Sequence, residues 1–329
     1  MLAEALRRFS GAEFLYFADE DHVPYGTKSM AEIVRLSLDA VGFLVSRGAD
    51  AVVVACNTAT SAAISELRGA FSVPVIGMEP AVKLAADSFG ARPTLLIATP
   101  LTIAGEKLAR LVGRLECETW SLPLPRLVEF AQDLEFDSPA VRAYLRQEMG
   151  KFELERLGSL VLGCTHFNYF KDVLREILPP HVRIIDGIDG TLNRLASELG
   201  GGLKLANGED LSAQATKFNA GGGVEFDVDP SAQGSKFDAE RRGAGGESVK
   251  DKSKQGSEGR GEGEQGKEGC DESCGDEQGT EGCDESGGKI YYPNGNSVEY
   301  FYSGRALDAA QLRKVGLFLK RLDAMRGIG

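Results

Sequence analysis

The chain has 329 residues, of which 42% are hydrophobic, and a formal net charge of −12. Residues 207–288 carry 20 acidic and 9 basic residues, so the rest of the chain is almost neutral and has no basic stripe for nucleic acid. No apolar run approaches the ~20 residues of a membrane span, the N-terminal segment lacks the features of a signal peptide, and six cysteines do not make a disulfide framework in a chain this long. We therefore expect a cytoplasmic protein that binds neither nucleic acid nor membrane.

Strand and helix patterns alternate along the first half of the chain. Residues 13–17 form the first predicted strand. Ser29 and Glu32 have the spacing of a capping box, and they open a predicted helix that ends at Gly48. The further predicted strands are 51–55, 73–78 and 94–98, and the further predicted helices are 60–71 and 101–115.

The same alternation continues in the second half. Ser138 followed by Pro139 is typical of a helix start. The predicted strands here are 117–122, 159–163, 182–186 and 297–303, and the other predicted helices are 167–178 and 308–324. Because most of these strands are apolar throughout instead of alternating, they favour parallel sheets covered by helices on both faces.

The order of these elements predicts an α/β fold of two pseudo-symmetric parallel-sheet domains that face each other across a cleft. We expect domain A to combine residues 1–79 with 189–206 and 289–329, and domain B to be residues 80–188. Residues 207–288 would then be a long insertion within domain A.

The insertion has the composition of a disordered segment. It contains few apolar residues and many glycines, and the hexapeptide "EGCDES" occurs in it twice. Its cysteines, Cys270, Cys274 and Cys283, are surrounded by carboxylates, but their spacing matches no closed zinc pattern. We therefore expect no metal site there and interpret the segment as a solvated insertion.

One short phrase is repeated in the two halves of the chain. Residues 51–58 read "AVVVACNT" and residues 159–166 read "SLVLGCTH", so Cys56 and Cys164 each follow a predicted buried strand. Ligands collect at the carboxyl ends of parallel strands, and a helix that begins there favours a thiolate. A single cysteine in this place is more often an inert core residue. Its recurrence with polar residues directly after it favours a functional pair.

Two thiols on opposite sides of a carbon atom suit the inversion of a stereocentre. One thiolate would remove a proton from the α-carbon, and the opposite thiol would deliver a proton to the other face. The site would have to stabilise the carbanion-like intermediate with positioned donors and exclude water. The sequence has neither a phosphate-binding glycine loop nor a recognisable pyridoxal-phosphate lysine motif, so we expect no cofactor.

Several segments of the sequence resemble the cofactor-independent aspartate/glutamate racemase family, and within it the glutamate racemases. The His166 that follows Cys164 and Thr165 is the feature most typical of the glutamate enzymes. The matching segments are "YFADEDHVPYGTKS" (16–29), "VVVACNTATSAA" (52–63), "PVIGMEPAVK" (74–83), "LIATPLT" (96–102), "LPRLVEFAQ" (124–132), "LVLGCTHFNYF" (160–170), "IIDG" (184–187) and "EYFYSG" (299–304).

The resemblance implies interconversion of L- and D-glutamate, which would supply D-glutamate for bacterial cell-wall peptide. It assigns acid and base roles to Cys56 and Cys164 and assisting roles to His166 and Glu129. The substrate-binding residues that it implies are Pro24, Tyr25, Gly26, Asn57, Thr58, Thr99, Thr165 and His166. Without the resemblance, we would favour a packed ring for Tyr25 and a hydrogen-bonded core histidine for His166 over functional roles.

The beginning of the sequence departs from the family pattern. The family opens with a strand and a glycine loop of the form "GVFDSGVGGL", whereas here "LAEALRRFSGAEFLYFAD" corresponds to the helix and strand that follow that loop. Asp19 and Asp21 lie in the next segment and do not replace the aspartate of the loop. A start upstream of Met1 and a chain with impaired catalysis both explain the difference, and we favour the upstream start.

Three functional alternatives follow. The leading one is glutamate racemisation with glutamate as the small-molecule partner. The second is a racemase for another acidic substrate, and the third is a binding or regulatory protein that keeps the fold but has lost catalysis. The sequence leaves a homodimer as an open alternative to a monomer.

Overall fold

The computed structural model describes residues 1–89, 92–200, 204–205 and 289–329. The α-helices in this part of the chain are α1 (Leu2–Arg8), α2 (Met30–Ser46), α3 (Asn57–Ala70), α4 (Val82–Phe89), α5 (Pro100–Ala104), α6 (Glu106–Val112), α7 (Arg126–Gln132), α8 (Pro139–Met149), α9 (Lys171–Ile177), α10 (Ile188–Leu199) and α11 (Ala309–Ala324). Within these ranges, no helix is both long enough and apolar enough to cross a membrane.

The strands in the described ranges are short, and four 3₁₀-helical segments lie among them. The strands are β1 (Phe9–Ser10), β2 (Glu13–Ala18), β3 (Val52–Val54), β4 (Val75–Gly77), β5 (Thr94–Ala98), β6 (Thr119–Pro123), β7 (Ser159–Gly163), β8 (Arg183–Asp186), β9 (Lys204–Leu205), β10 (Lys289–Tyr291), β11 (Ser297–Tyr302) and β12 (Arg305–Ala306). The 3₁₀ segments are Glu20–His22, Tyr25–Thr27, Leu154–Arg156 and Thr165–Phe170.

A four-stranded parallel sheet with the order β6-β5-β7-β8 forms the best-buried part of the molecule. All five residues of β5 and all five of β7 are buried. Alternate residues of these strands enter different clusters, because successive side chains of a strand point to opposite faces. Leu160 and Leu162 pack in the cluster that contains Phe167, whereas Val161 packs with Leu96 in another. This sheet therefore has a core on each face, as its apolar sequence predicts.

The other strands that the structure describes form three smaller sheets. β2 is parallel to β11, and β10 and β12 are antiparallel to β11, so this sheet is mixed. β3 and β4 form a parallel pair, and β1 and β9 form an antiparallel pair. The predicted α/β class with parallel sheets is confirmed, while the two-domain division remains a prediction.

Side-chain caps explain where several helices begin. The Ser29 hydroxyl accepts a hydrogen bond from the backbone of Glu32 at the start of α2, and the Ser138 hydroxyl caps α8 in the same way. Asp308 and Gln311 form a reciprocal capping box at the start of α11. These three starts agree with the sequence predictions to within one residue.

Two predicted helices are wrong in part. The predicted helix 101–115 is divided into α5 and α6 at Gly105, which has an extended backbone conformation. A Cβ atom at Gly105 would lie 2.5 Å from the Ser61 hydroxyl, so α3 approaches closely there and a larger residue would have to displace that side chain. The predicted helix 167–178 begins instead as the 3₁₀ segment. Its three-residue period places Phe167 and Phe170 on one side, and both are fully buried.

The insertion predicted at 207–288, its predicted disorder and Cys270, Cys274 and Cys283 lie outside the described residues. Three described helices, α4, α7 and α10, were not among the predicted elements, and α1 was expected from the family resemblance alone. α1 and α7 have only seven residues each, which is too short for a clear apolar period.

Candidate active site

The two repeated segments, 51–58 and 159–166, both contribute residues to the wall of one cavity of about 890 Å³. Cys56 follows β3 and Cys164 follows β7, and both line this cavity. The Thr165 hydroxyl donates a hydrogen bond of 3.2 Å to the backbone oxygen of Ala55. The segments that carry the two cysteines are therefore in direct contact.

Cys56 occupies the N-terminal cap of α3. Its sulfur accepts a hydrogen bond of 3.4 Å from the backbone N–H of Ala59, and the side chain is half-buried. Burial raises the pKa of the Cys56 thiol, while hydrogen bonds from Ala59 and Thr58 oppose this rise. The positive end of a 14-residue helix thus faces the sulfur and favours its thiolate form.

Cys164 is more deeply buried, and its partner is a histidine. Burial raises the pKa of the Cys164 thiol to about 12, and the neighbouring Cys56 adds to this rise. The Nδ1 atom of His166 lies 4.0 Å from the Cys164 sulfur. Burial and the nearby Lys314 ammonium lower the pKa of His166 to about 4, so its imidazole is neutral at neutral pH.

Three threonine hydroxyls form a buried cluster beside Cys56. The oxygens of Thr58 and Thr99 are 2.9 Å apart, those of Thr99 and Thr102 are 2.9 Å apart, and those of Thr58 and Thr102 are 3.2 Å apart. A Cβ atom at Gly26 would lie 3.3 Å from Thr99, so the Gly26 backbone packs closely against this cluster. The cluster provides hydroxyl donors and acceptors at one end of the cavity.

Asp19 also lines the cavity and has three hydrogen-bonding partners. It accepts hydrogen bonds from the Tyr25 hydroxyl at 2.5 Å and the Ser303 hydroxyl at 3.0 Å, and His22 Nδ1 lies 2.7 Å away. Burial disfavours the charged carboxylate, but these three hydrogen bonds outweigh it and hold the pKa of Asp19 below its ordinary value. Burial and the adjacent Asp19 raise the pKa of Tyr25, so its phenol stays protonated.

Nearly all of the residues that the sequence singles out line the one cavity. Asn57 is the exception, because its amide nitrogen donates to the backbone oxygen of Met78 at 3.3 Å and its buried amide oxygen has no partner. The residues on the cavity wall are Pro24, Tyr25, Gly26, Cys56, Thr58, Thr99, Glu129, Cys164, Thr165 and His166.

Sequence reasoning missed four polar residues around this site: Asp19, Thr102, Gln132 and Lys314. Thr102 follows Thr99 at the spacing of a helix cap, which was a usable signal. Lys314 and Gln132 are 182 residues apart in sequence, and no local pattern predicts their contact.

The cavity also reaches the edges of two strands. Its wall includes every residue of 11–20 and of 47–56. Successive strand residues point to opposite faces, so contact with all of them requires that the cavity border the strand edge. Among the described residues, β2 pairs only with β11 and β3 pairs only with β4. The cavity therefore borders open edges of both strands.

Comparison with known proteins identifies relatives of this chain. The family model described as Asp/Glu/Hydantoin racemase matches residues 1–195. The chain is 60% identical to the glutamate racemase of Campylobacter concisus over 211 residues, which are 63% of this chain and 80% of the relative. It is 54% identical to the glutamate racemase of Campylobacter curvus over 222 residues, which are 65% of this chain and 83% of the relative.

Solved structures of glutamate racemases also resemble this chain. Escherichia coli glutamate racemase, in complex with L-glutamate and the activator UDP-MurNAc-Ala, is 32% identical with a TM-score of 0.53, covering 57% of this chain and 73% of that one. Thermus thermophilus glutamate racemase, in complex with β-chloro-D-alanine, is 33% identical with a TM-score of 0.51, covering 60% and 73%. The family match spans more than half of the sequence and includes both cysteine segments, and the chain therefore belongs to the Asp/Glu/Hydantoin racemase family of isomerases.

Proposed function

We propose that this protein interconverts L- and D-glutamate with Cys56 and Cys164 as the two acid/base residues and without a cofactor. The observation that carries the proposal is the convergence of both cysteine segments on one cavity, joined by the hydrogen bond from Thr165 to Ala55. The curated relatives named above are glutamate racemases, which supports glutamate as the substrate. D-glutamate made in this way would serve cell-wall peptide synthesis.

The proposed reaction moves one proton off the α-carbon and another onto it. A thiolate removes the proton, the electron pair remains on the α-carbon and its carboxylate, and the opposite thiol donates a proton to the other face. The attacking cysteine is then a thiol and the donor is a thiolate, so the two residues exchange roles for the reverse reaction. The cycle therefore requires one cysteine in each protonation state.

Raised thiol pKa values make the thiolate the scarce form. Both cysteines are predominantly thiols near neutral pH, because burial raises the pKa of each. Two different features reduce the cost of ionisation. The N-terminus of α3 faces the sulfur of Cys56, and a His166 nitrogen faces the sulfur of Cys164.

The polar ends of the cavity suit an acidic amino acid. We assign a substrate carboxylate to the hydroxyls of Thr58 and Thr99 and to the N-terminal turn of α3. The Asp19 carboxylate, which also lines the cavity, suits the substrate ammonium group. Asn57 would act through its backbone at that turn, because its side chain bonds to Met78.

Single cysteine variants test this proposal. Cys56→Ser and Cys164→Ser should each lower racemisation, followed by circular dichroism, by more than about 1,000-fold. Each variant should still exchange the α-proton of one enantiomer with D₂O, and the preferred enantiomer should differ between the two. Cys117→Ser is the matched control, because Cys117 is a half-buried free cysteine outside the cavity wall. Near-normal racemisation by both active-site variants would refute the mechanism.

One observation favours a second candidate. The open edges of β2 and β3 border the cavity, so this part of the site is less enclosed than the part that carries Cys164. An under-enclosed site binds a substrate but excludes water poorly, which is the expected state of a binding or regulatory protein with impaired catalysis. Binding of L-glutamate without any α-proton exchange would select this candidate. Faster turnover of another acidic amino acid would select a racemase of different specificity.

A further inference from the structure

A chain of three polar side chains, Lys314, Gln132 and His166, leads from α11 to Cys164. Gln132, the last residue of α7, lies between Lys314 and His166. The Gln132 Nε2 atom is 3.1 Å from His166 Nε2, and the Gln132 Oε1 atom is 3.4 Å from Lys314 Nζ. Lys314 Nζ is also 3.4 Å from a carboxylate oxygen of Glu20.

Each contact in this chain has only one chemically allowed direction. The ammonium of Lys314 can only donate, so the Gln132 atom that faces it must be the amide oxygen. The amide nitrogen of Gln132 then faces His166 and can also only donate. His166 Nε2 must therefore accept, which leaves the single proton of the neutral imidazole on Nδ1.

The Nδ1 atom is the ring atom that faces the cysteine. It lies 4.0 Å from the sulfur of Cys164, so a proton on Nδ1 points a hydrogen-bond donor at the thiolate. The opposite tautomer would present a lone pair to the sulfur and would disfavour the thiolate. Which nitrogen carries the proton thus decides whether His166 supports or opposes ionisation of Cys164.

We propose that Gln132 is a positioning residue that holds His166 as the Nδ1–H tautomer, and that Lys314 fixes the direction of the Gln132 amide. The tautomer stands on the hydrogen-bond geometry alone. Its effect on turnover rests on the proposed function.

The packing of α11 keeps Lys314 in place. The guanidinium of Arg321 donates to both carboxylate oxygens of Asp172 at 2.7 Å and to the backbone oxygen of Tyr169 at 2.9 Å. The ring of Phe318 packs on the ring of Tyr169 with centroids 5.0 Å apart. α11 is thereby tied to the segment that carries His166, and Lys314 moves with that segment.

Nitrogen NMR of the histidine side chains measures the tautomer directly. The chain has only three histidines, so ¹⁵N-histidine labelling at pH 8 gives few signals, and a His166→Gln variant assigns that of His166. His181 provides an internal reference, because its Nε2 lies 3.1 Å from the backbone oxygen of Leu157 and must carry the proton there. We expect His166 as Nδ1–H and His181 as Nε2–H. An Nε2–H signal for His166 would overturn the proposal.

Variants of Gln132 and Lys314 test whether these residues determine the tautomer of His166. Gln132→Glu replaces the donor by a carboxylate acceptor and should place a proton on Nε2 of His166. Lys314→Met should give a mixture of tautomers, because the amide is then free to turn, whereas Lys314→Arg should restore Nδ1–H. Gln147→Glu makes the same chemical change at an exposed site on α8 and should leave the histidine signals unchanged. An unchanged His166 signal in Gln132→Glu would refute the role of Gln132.

Kinetics separate this inference from the proposed function. If the protein racemises glutamate, Gln132→Glu should lower kcat by about 10- to 100-fold with little change in KM. A tautomer change without any rate change would refute the positioning role. Absence of racemisation in the unaltered protein would reject the proposed function, while the NMR result would still decide the tautomer.

Discussion

The two cysteine-bearing strands share a sequence pattern but differ in their surroundings. β7, which leads to Cys164, pairs with β5 on one side and β8 on the other, and all of its residues are buried. β3, which leads to Cys56, pairs only with β4 among the described residues, and only Val52 in it is fully buried. A strand with one open edge has fewer neighbours to hold it and can pair with another chain.

The two cysteines also differ in what supports their thiolates. A long α-helix begins directly after Cys56, and its backbone N–H groups face the sulfur. Only a 3₁₀ segment follows Cys164, and the imidazole of His166 lies near the sulfur together with the backbone N–H groups of His166 and Phe167. A repeated sequence phrase thus places two sulfurs in one cavity, but tertiary contacts determine how each becomes a base. Backbone support is fixed by the helix, whereas imidazole support depends on the relay through Gln132.

Substitution of the residue before each cysteine should give the largest difference in stability between the β7 and β3 segments. A Cβ atom at Gly163 would lie 2.8 Å from the Cβ of Ala98 and 3.1 Å from the backbone oxygen of Ile97, so Gly163→Ala forces β7 away from β5. We expect a loss of about 2–3 kcal/mol in the free energy of unfolding, measured with urea. Ala55 is exposed, and Ala55→Ser, which also adds one heavy atom, should cost less than about 0.5 kcal/mol. Equal losses would contradict the comparison.

A matched valine pair provides the next test. Val161 and Val53 each lie three residues before a cysteine, but Val161 is fully buried and Val53 is half-buried. Val161→Ala should lower the free energy of unfolding by about 2 kcal/mol, because it opens a cavity between β7 and Leu96. Val53→Ala should lower it by less than about 1 kcal/mol. The same urea titrations measure both, and a larger effect at Val53 would show that β3 is as well enclosed as β7.

The buried sheet is also the part of the fold that the sequence predicts best. β5 and β7 begin and end at the predicted residues, because both are short apolar runs whose every residue is buried. β10 and β12 were missed, since short strands at the edge of a sheet carry little apolar signal. The sequence prediction also missed the break at Gly105, where the backbone is extended and packs close to Ser61 of α3.

The candidate site likewise contains residues that the sequence predicted and residues that it did not. The cysteines and the residues next to them were predicted, because they lie at strand ends in a repeated phrase. Asp19, Gln132 and Lys314 were missed, because their partners are distant in sequence and no spacing rule connects them. Asn57 was predicted to bind substrate, yet its side-chain amide donates to the backbone oxygen of Met78, the residue directly after β4.

The smallest expected effect is the pH dependence of stability. It distinguishes the residues that lie two positions after each cysteine. The second residue after Cys56 is Thr58, which does not titrate in this range, whereas the second residue after Cys164 is His166. Burial and Lys314 lower the pKa of folded His166 to about 4 from the ordinary value of 6.5. Between these values the unfolded chain binds more protons than the folded one, so stability falls as pH decreases from about 6.5 towards 4.

We expect His166 to contribute about 1–2 kcal/mol of the stability lost between pH 7.5 and pH 5, because one pKa unit corresponds to about 1.4 kcal/mol and the ring is partly exposed. Urea unfolding at the two pH values measures this, and His166→Gln should show a correspondingly smaller loss. Thr58→Val, at the matched position, should keep the full loss of the unaltered protein, since carboxylates common to all three proteins titrate equally. The opposite outcome is a His166→Gln variant whose free energy of unfolding has the same pH dependence as that of the unaltered protein. It would mean that His166 is protonated as readily in the folded protein as in the unfolded chain, so that His166 adds nothing to the loss of stability in acid.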